Sequence, residues 1–538
     1  MKEQIILIAD YFKEEVFGGA EIVDEEIVKI LIENDYEVHK IKCESLTETI
    51  VNNIIKTGCK VLVSNFAKMP PNIIHYMVTN RCQYSIIEHD HKYVQSRDVT
   101  NFKDCLVPAD MVINRNFYAN AENIFCQAES HAQLVSRNLG METISLSTSI
   151  WSDEDLDIIE KYCSKPKNGK TMVLGSKTPY KNTKLAQTVC ENNNIDYDTV
   201  GPLPFPELMS KMAEYSEVLF LPAFQESFNR FIVEAKMLGC RVKTNNRNGA
   251  TSEKWFKKLS GLELINFIRN SKKEFISKIL NPENYTPSSG KQNHFKVVIP
   301  LYNTESWIGA TIDSLMAQTY TNFQCIIMDD MSTDNSNSII AEKIKNDSRF
   351  KLVTNSKKAY ALKNIHDAIN ISEPDPEDII ITLDGDDWLE NKNVLSRLNF
   401  AYNTKNCWLT YGSYVEYPTG KIGMFARQVA REVQINSSYR KSSWCFSHLR
   451  TFKYHLWNKI DTKDLLDQDG NFYRMAWDLA FMFPMLEMAG AKSLYLDDIA
   501  YVYNLSNPIN DHKVNHDLQM GFEREIRNKT PYSLQIDK

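Results

Sequence analysis

Three carboxylates crowd into four residues at Asp384-Gly385-Asp386-Asp387. Charges this close repel one another unless a cation neutralises them. Hard oxygen ligands suit Mg2+ or Mn2+, with substrate phosphates completing the shell. Taken alone, the motif also reads as a solvated acidic turn. Two further segments change that balance. Asp329-Asp330, followed by Ser332-Thr333-Asp334, ends one apolar run, and Pro300-Leu301-Tyr302-Asn303 ends another. Carboxylates that finish two strands, beside a polar turn that finishes a third, form the kind of edge at which a nucleoside diphosphate is held.

The elements that must position these groups alternate between strand and helix. Phe295–Ile299, Gln324–Met328, Lys351–Thr354 and Ile379–Leu383 read as strands. Ile308, Ile312 and Leu315 mark one intervening helix, and Leu362–Ile369 another. The pattern predicts a mostly parallel, doubly wound α/β sheet, in which ligands sit outside the carboxyl ends of the strands.

These segments resemble the family 2 glycosyltransferases of the GT-A fold. Val297-Val298-Ile299-Pro300-Leu301-Tyr302-Asn303, Ile326 to Asp334, and Leu383-Asp384-Gly385-Asp386-Asp387 match in order and spacing. The resemblance covers about residues 295–505. It implies metal-dependent, inverting transfer of a sugar from a nucleotide sugar, usually a UDP-sugar, to an acceptor hydroxyl on a glycan or other molecule. Asp330, with Asp329, would then bind the base. Pro300, Asn303 and Asp384 would line the nucleotide site, and Asp386 or Asp387 would ligate Mn2+ or Mg2+. Where the family carries an Arg-Asn pair, Lys363-Asn364 stands; the resemblance implies that Lys363 contacts the donor diphosphate, keeping the charge but losing the bidentate fork. The family's catalytic base falls in a Glu-Asp pair that opens a helix. Trp477-Asp478 is the match, making Asp478 the expected base, although an Asp at a helix start also has a purely electrostatic reading. Trp444, His448, Lys453, Trp457 and Lys459 precede it as candidates to hold an acceptor or the departing diphosphate.

The first half has its own pattern. Gln4–Ala9 is a strand that leads to Gly18-Gly19 at the start of a helix, where backbone amides can approach an anion. Further strands are expected at Lys60–Ser64, Ser85–Glu88, Met111–Asn114 and Ile144–Leu146, then at Thr171–Leu174, Asp198–Val200, Val218–Leu221 and Arg241–Thr244. Glu226 and Glu234 lie eight apart, ahead of a helix ending near Gly239. Together these features resemble family 4 glycosyltransferases of the GT-B fold over about residues 1–280. That resemblance implies a pair of Rossmann-like lobes, 1–160 and 161–280, and retaining transfer. Glu234 would bind ribose, Glu226 would lie near the sugar, Lys181 would contact the diphosphate with Gly18 and Gly19 nearby, and His91 would face the sugar. Ser227-Phe228-Asn229 replaces the family's Gly-Phe-Gly. The half reads equally as a second active enzyme or as an inactive or acceptor-binding pair of lobes.

A polar stretch with two prolines, 281–294, separates the halves as a linker and leaves 295–538 as the GT-A domain. Composition sets the outer limits. With 43% hydrophobic and 24% charged residues, the chain is globular, and 538 residues imply three to four domains. No apolar run approaches the ~18 residues of a membrane span. The run after Lys2 is too short for a secretory leader. Eleven scattered cysteines suit free thiols in a reducing compartment. The expected setting is cytoplasmic, or host-cytoplasmic if phage-encoded. The Asn-, Lys- and Ile-rich chain also resembles glycosyltransferases of large phages, some of which act on hydroxymethylated DNA bases. A net charge of −7 disfavours a nucleic-acid partner, with Lys254, Lys257 and Lys258 as a local exception. A binding or scaffold protein with degenerate transferase sites is the alternative from another class.

Overall fold

The computed structural model describes residues 2–16, 18–285, 291–508 and 516–535. Part of the expected linker, 286–290, and Phe17 before the Gly-Gly turn lie outside the described residues. The chain divides into two compact units, 1–290 and 291–538.

The first unit contains two parallel sheets. In one, β1 (Gln4–Ala9), β2 (Glu37–Lys42), β3 (Lys60–Val63), β4 (Ser85–Glu88), β5 (Ile124–Cys126) and β6 (Ile144–Ser145) lie in the order β2-β1-β3-β4-β5-β6. In the other, β7 (Thr171–Leu174), β8 (Tyr197–Val200), β9 (Glu217–Phe220) and β10 (Arg241–Thr244) lie in the order β10-β9-β7-β8. The expected strand at Met111–Asn114 does not form. A 3-10 turn, Ala109–Met111, occupies its start, Val112 makes an isolated bridge to Val94, and Asn114 takes a left-handed φ of 57°. Its place in the sheet is filled by β5. The strand β2 went unanticipated because Glu37, His39 and Lys40 break up its apolar run.

Core membership changes between Ile150, packed with the first sheet, and Trp151, packed with the second. The helix Gly261–Leu280 then runs back. Its Leu264, Ile265 and Ile268 belong to the second core, and its Phe275, Ile276 and Ile279 to the first.

The second unit is built on one mixed sheet. Its strands are β11 (Phe295–Leu301), β12 (Phe323–Asp329), β13 (Phe350–Thr354), β14 (Ile379–Thr382), β15 (Trp388–Leu389), β16 (Leu409–Tyr417), β17 (Lys421–Ile422), β18 (Arg450–Lys453) and β19 (Ser493–Asn504). The order is β13-β12-β11-β14-β18-β16-β19-β15, with β17 paired to β16. The first four strands are parallel, as the alternation predicts. The rest depart from it: β18 is antiparallel to β14, and β16 to β18, while β19 is parallel to β16. Apolar side chains cover both faces. Val298, Ile326 and Ile380 point to one core, and Val297, Ile299, Ile327 and Ile381 to the other, as the two-residue period of a strand requires.

Candidate functional site

The carboxyl ends of β11, β12 and β14 open into a cleft of about 410 Å3 in the second unit. The Asp384-to-Asp387 turn lies tight against β11. A Cβ added to Gly385 would come within 2.6 Å of the Leu301 Cβ and 3.2 Å of the Pro300 carbonyl oxygen. Thr311 fastens the turn by donating to the Asp387 carbonyl at 2.7 Å. Glycine is needed here for close approach, since its φ is not left-handed.

The three carboxylates of the turn differ in their commitments. Asp387 is buried. It accepts from Tyr501 Oη at 2.6 Å on one oxygen and from the Asn504 backbone N–H at 2.7 Å on the other. Burial, with Asp386 and Asp384 nearby, pushes its carboxyl well above the usual range. Asp386 lines the cleft and accepts from Asn507 Nδ2 at 2.7 Å, and burial raises it too. Asp384 also lines the cleft, and its N–H donates to Tyr501 Oη at 3.3 Å. All three acidic residues line the cavity, and Asp387 also anchors the turn to β19 through both of its carboxylate oxygens. A divalent cation that completes its shell from a diphosphate and water fits Asp384 and Asp386. Among the described residues no cluster of three acidic, His or Cys side chains offers an all-protein cage.

At the other end of the cleft, Asp330 sits under the N-terminus of the helix Tyr360–Ile371. It accepts from Ala359 N at 2.7 Å, Tyr360 N at 3.0 Å and Asn355 Nδ2 at 3.0 Å. A carboxylate has about four acceptor positions, so room remains for one ligand N–H. Asp329 is fully buried and faces away, bonded to Ser332 N and Asn337 Nδ2. Asn303 knits the β11 and β12 loops together by accepting from Thr333 N at 2.8 Å, while its own N–H donates to Ser332 Oγ. Pro300 lines the cleft. Lys363 does not. It pairs with Asp367 one helical turn on, whereas Tyr360, Ala361 and Asn364 present the cleft-facing side of that helix.

Asp478 opens the helix Trp477–Ala489 and lines the cleft. Its carboxylate accepts from Arg450 Nη2 at 2.9 Å. Burial raises its pKa, and the Arg450 guanidinium pulls the other way. Arg450 also reaches His448, which stacks on Tyr501 at 4.4 Å and is kept neutral by burial and by Arg450. Of the other aromatic and basic candidates, Trp457 is core, stacked on Phe452, and Trp444 packs on Phe483. Lys453 pairs with Glu377, and Lys459 bonds Gln535. The cleft's actual cations are Lys358, held over the Tyr302 ring at 2.7 Å, Arg450, and Arg474. Sequence reasoning passed over Lys358 although it follows β13 at the same sheet edge. Arg474 stood in view inside the Arg474-to-Asp478 segment. Asn507 has no signal in the sequence beyond its distance from β19.

In the first unit, Lys181 Nζ meets Glu226 Oε1 at 2.8 Å, and Asn229 Nδ2 donates to Glu226 at 3.2 Å. Glu234 is elsewhere. It is buried, accepts from Trp151 Nε1 at 2.9 Å and neighbours Arg230, which stacks on Trp151; burial raises its pKa. Gly18 is the N-cap and Gly19 the first residue of the helix Gly19–Glu33. His91 is 1% exposed, bonded to Tyr93 Oη at 2.9 Å, and pushed down to about 3 by burial. The structure thus brings Lys181 and Glu226 together and seals Glu234 and His91 into the interior.

Residues 296–457 match the family model described as glycosyl transferase family 2. An uncharacterised glycosyltransferase of Haemophilus influenzae is 36% identical over 121 residues, which are 22% of this chain and 46% of that protein. The Escherichia coli UDP-Glc:alpha-D-GlcNAc-diphosphoundecaprenol beta-1,3-glucosyltransferase WfgD is 34% identical over 119 residues, 22% of this chain and 44% of the relative. The chain thus spans less than half the length of these relatives. The crystal structure of S. aureus TarS in complex with UDP-GlcNAc aligns at 19% identity and a TM-score of 0.32, covering 41% of this chain and 61% of that one. The matched segment runs from β11 through β18, so the C-terminal unit contains a family 2 glycosyltransferase domain.

Proposed function

We propose that the C-terminal unit transfers a sugar from a UDP-sugar to an acceptor hydroxyl with inversion at the anomeric carbon. The observation that carries this reading is the convergence of Asp330, Asp384, Asp386 and Asp478 on one cleft. Asp330 offers its remaining acceptor position to the N–H of a base, as uracil would supply. The name of the E. coli relative, a UDP-Glc-dependent enzyme, supports UDP. Asp384 and Asp386 would hold Mn2+ or Mg2+, which when bound supplies positive charge against the diphosphate. Asp478 accepts the proton of the acceptor hydroxyl as its oxygen attacks the anomeric carbon. The bond from that carbon to the diphosphate oxygen breaks, and the nucleoside diphosphate leaves with the electron pair.

The test is UDP release from a panel of UDP-sugars with Mn2+, for wild type, Asp386→Ala and Asp478→Asn. Asp478→Asn should lose about 100-fold or more in kcat while still binding UDP. Asp386→Ala should lose metal-dependent UDP binding. Full turnover in either variant overturns the assignment. For the N-terminal unit we propose a GT-B-like pair of lobes. Its two parallel sheets and the Lys181–Glu226 pair support that reading. The buried Glu234 would not reach a ribose without repacking Trp151 and Arg230.

A further inference from the structure

The family pattern puts a cation for the donor diphosphate at Lys363, yet that side chain is turned from the cleft and neutralised by Asp367. A diphosphate in this cavity needs positive charge from somewhere else. Three cations line the cleft, and two are committed. Arg450 is bound to Asp478, and Lys358 lies on the Tyr302 ring, 4.0 Å from Asp330.

Arg474 is different. Among the described residues it has no carboxylate partner, and its guanidinium lies over the face of Tyr360, 4.7 Å from the ring centroid. Its neighbours hold it out. Tyr473 is fully buried, its hydroxyl donating to Glu525 at 2.7 Å, and Met475 is buried as well. The backbone at Arg474 is thereby pinned at the cleft wall between two packed anchors, and the exposed guanidinium rests on the Tyr360 ring. Its ring partner, Tyr360, opens the helix whose cleft-facing side also carries Asn364.

Asn364 supplies an independent observation. It is 1% exposed and lines the cleft, and its Oδ1 is occupied by Asn355 Nδ2 at 2.6 Å. Its Nδ2 has no partner. A buried amide donor without an acceptor is costly unless a ligand completes it. An anionic oxygen would complete both the Asn364 amide and the Arg474 guanidinium, and a planar guanidinium suits phosphate oxygens.

We infer that Arg474, assisted by the Asn364 amide, is the protein clamp for the donor diphosphate, in the role the family pattern gives to Lys363. This rests on the nucleotide-sugar reading of the same cleft. The test is calorimetry of the full chain with UDP and with uridine, in Mn2+, for wild type, Arg474→Gln and Lys363→Met. Arg474→Gln should weaken UDP binding about ten- to a hundredfold, the loss of a charge-assisted contact. Its uridine binding should match wild type, which also certifies an intact cleft. Lys363→Met should leave both unchanged. Equal UDP affinity in wild type and Arg474→Gln overturns the clamp alone and sends the cation to an acceptor phosphate. An equal loss of UDP and uridine in Arg474→Gln, or a UDP-selective loss in Lys363→Met, overturns it as well. A wild-type chain that binds no UDP overturns the nucleotide-sugar reading and the clamp together.

Discussion

Asp478 and Arg450 face each other at 2.9 Å, so the proton affinity of the proposed base is set by two opposed effects. Burial raises its pKa and the guanidinium lowers it. A base works only when deprotonated, so the rate rises as pH climbs through its pKa. Removing the cation takes away the lowering influence and leaves burial. In Arg450→Gln the acid limb of the kcat/KM profile should therefore move upward by about one pH unit or more. An unmoved limb would mean that another group titrates there. The contrast between Asp386 and Asp387 shows where single residues were legible. The run of acids was plain in the sequence, but which of them has both oxygens engaged depends on Tyr501 and Asn504, more than 110 positions later. No local pattern announces such a partner. Lys363 shows the same limit in reverse: its charge matched the motif, while an i,i+4 neighbour, Asp367, took it out of the cleft.

Among the elements, the parallel half of the C-terminal sheet was readable because each strand is a short, mainly apolar run bounded by polar turns. The later half was not. β16 and β19 intersperse Tyr, Ser, Glu and Asp among their apolar residues, and β18 is a four-residue strand beginning with Arg450. Their order comes from long-range pairing. The helix Trp477–Ala489 is apolar nearly all round and buried along its length, yet it carries Glu487. That carboxylate is met by Arg440, Nε at 2.7 Å and Nη2 at 3.0 Å, and by Tyr532 N at 2.9 Å. Arg440 also bonds the Ile526 carbonyl of the helix His516–Asn528 at 2.6 Å. Breaking one side strands a buried charge. Arg440→Met should cost about 3–5 kcal/mol in denaturant unfolding, and Arg440→Met with Glu487→Leu should recover most of it. A loss below about 1 kcal/mol in the single variant would assign the pair no role in holding these helices, as for exposed ion pairs.

At the level of the whole molecule, every described residue that lines the C-terminal cleft lies between Pro300 and Gln519, inside one unit with its own cores on both sheet faces. Residues 291–538 produced alone should fold and bind UDP within about threefold of the full chain, because a domain with its own core can fold by itself. A fragment that folds but binds no UDP would show that the N-terminal half completes the site. The first unit has a different organisation. Its chain passes from one core to the other at Ile150–Trp151 and returns along the helix Gly261–Leu280. Two lobes joined by one strand of chain can swivel in any direction. Here the chain crosses twice, and hydrogen bonds fasten the halves as well: Ser227 Oγ donates to the His89 carbonyl, Trp255 Nε1 to the Ser147 carbonyl and the Glu129 N–H to the Glu253 carboxylate. Lys181 and Glu226 both sit on loops of the second sheet, so a swing of one half against the other would carry the pair as a unit, as a hinge plate carries its screws.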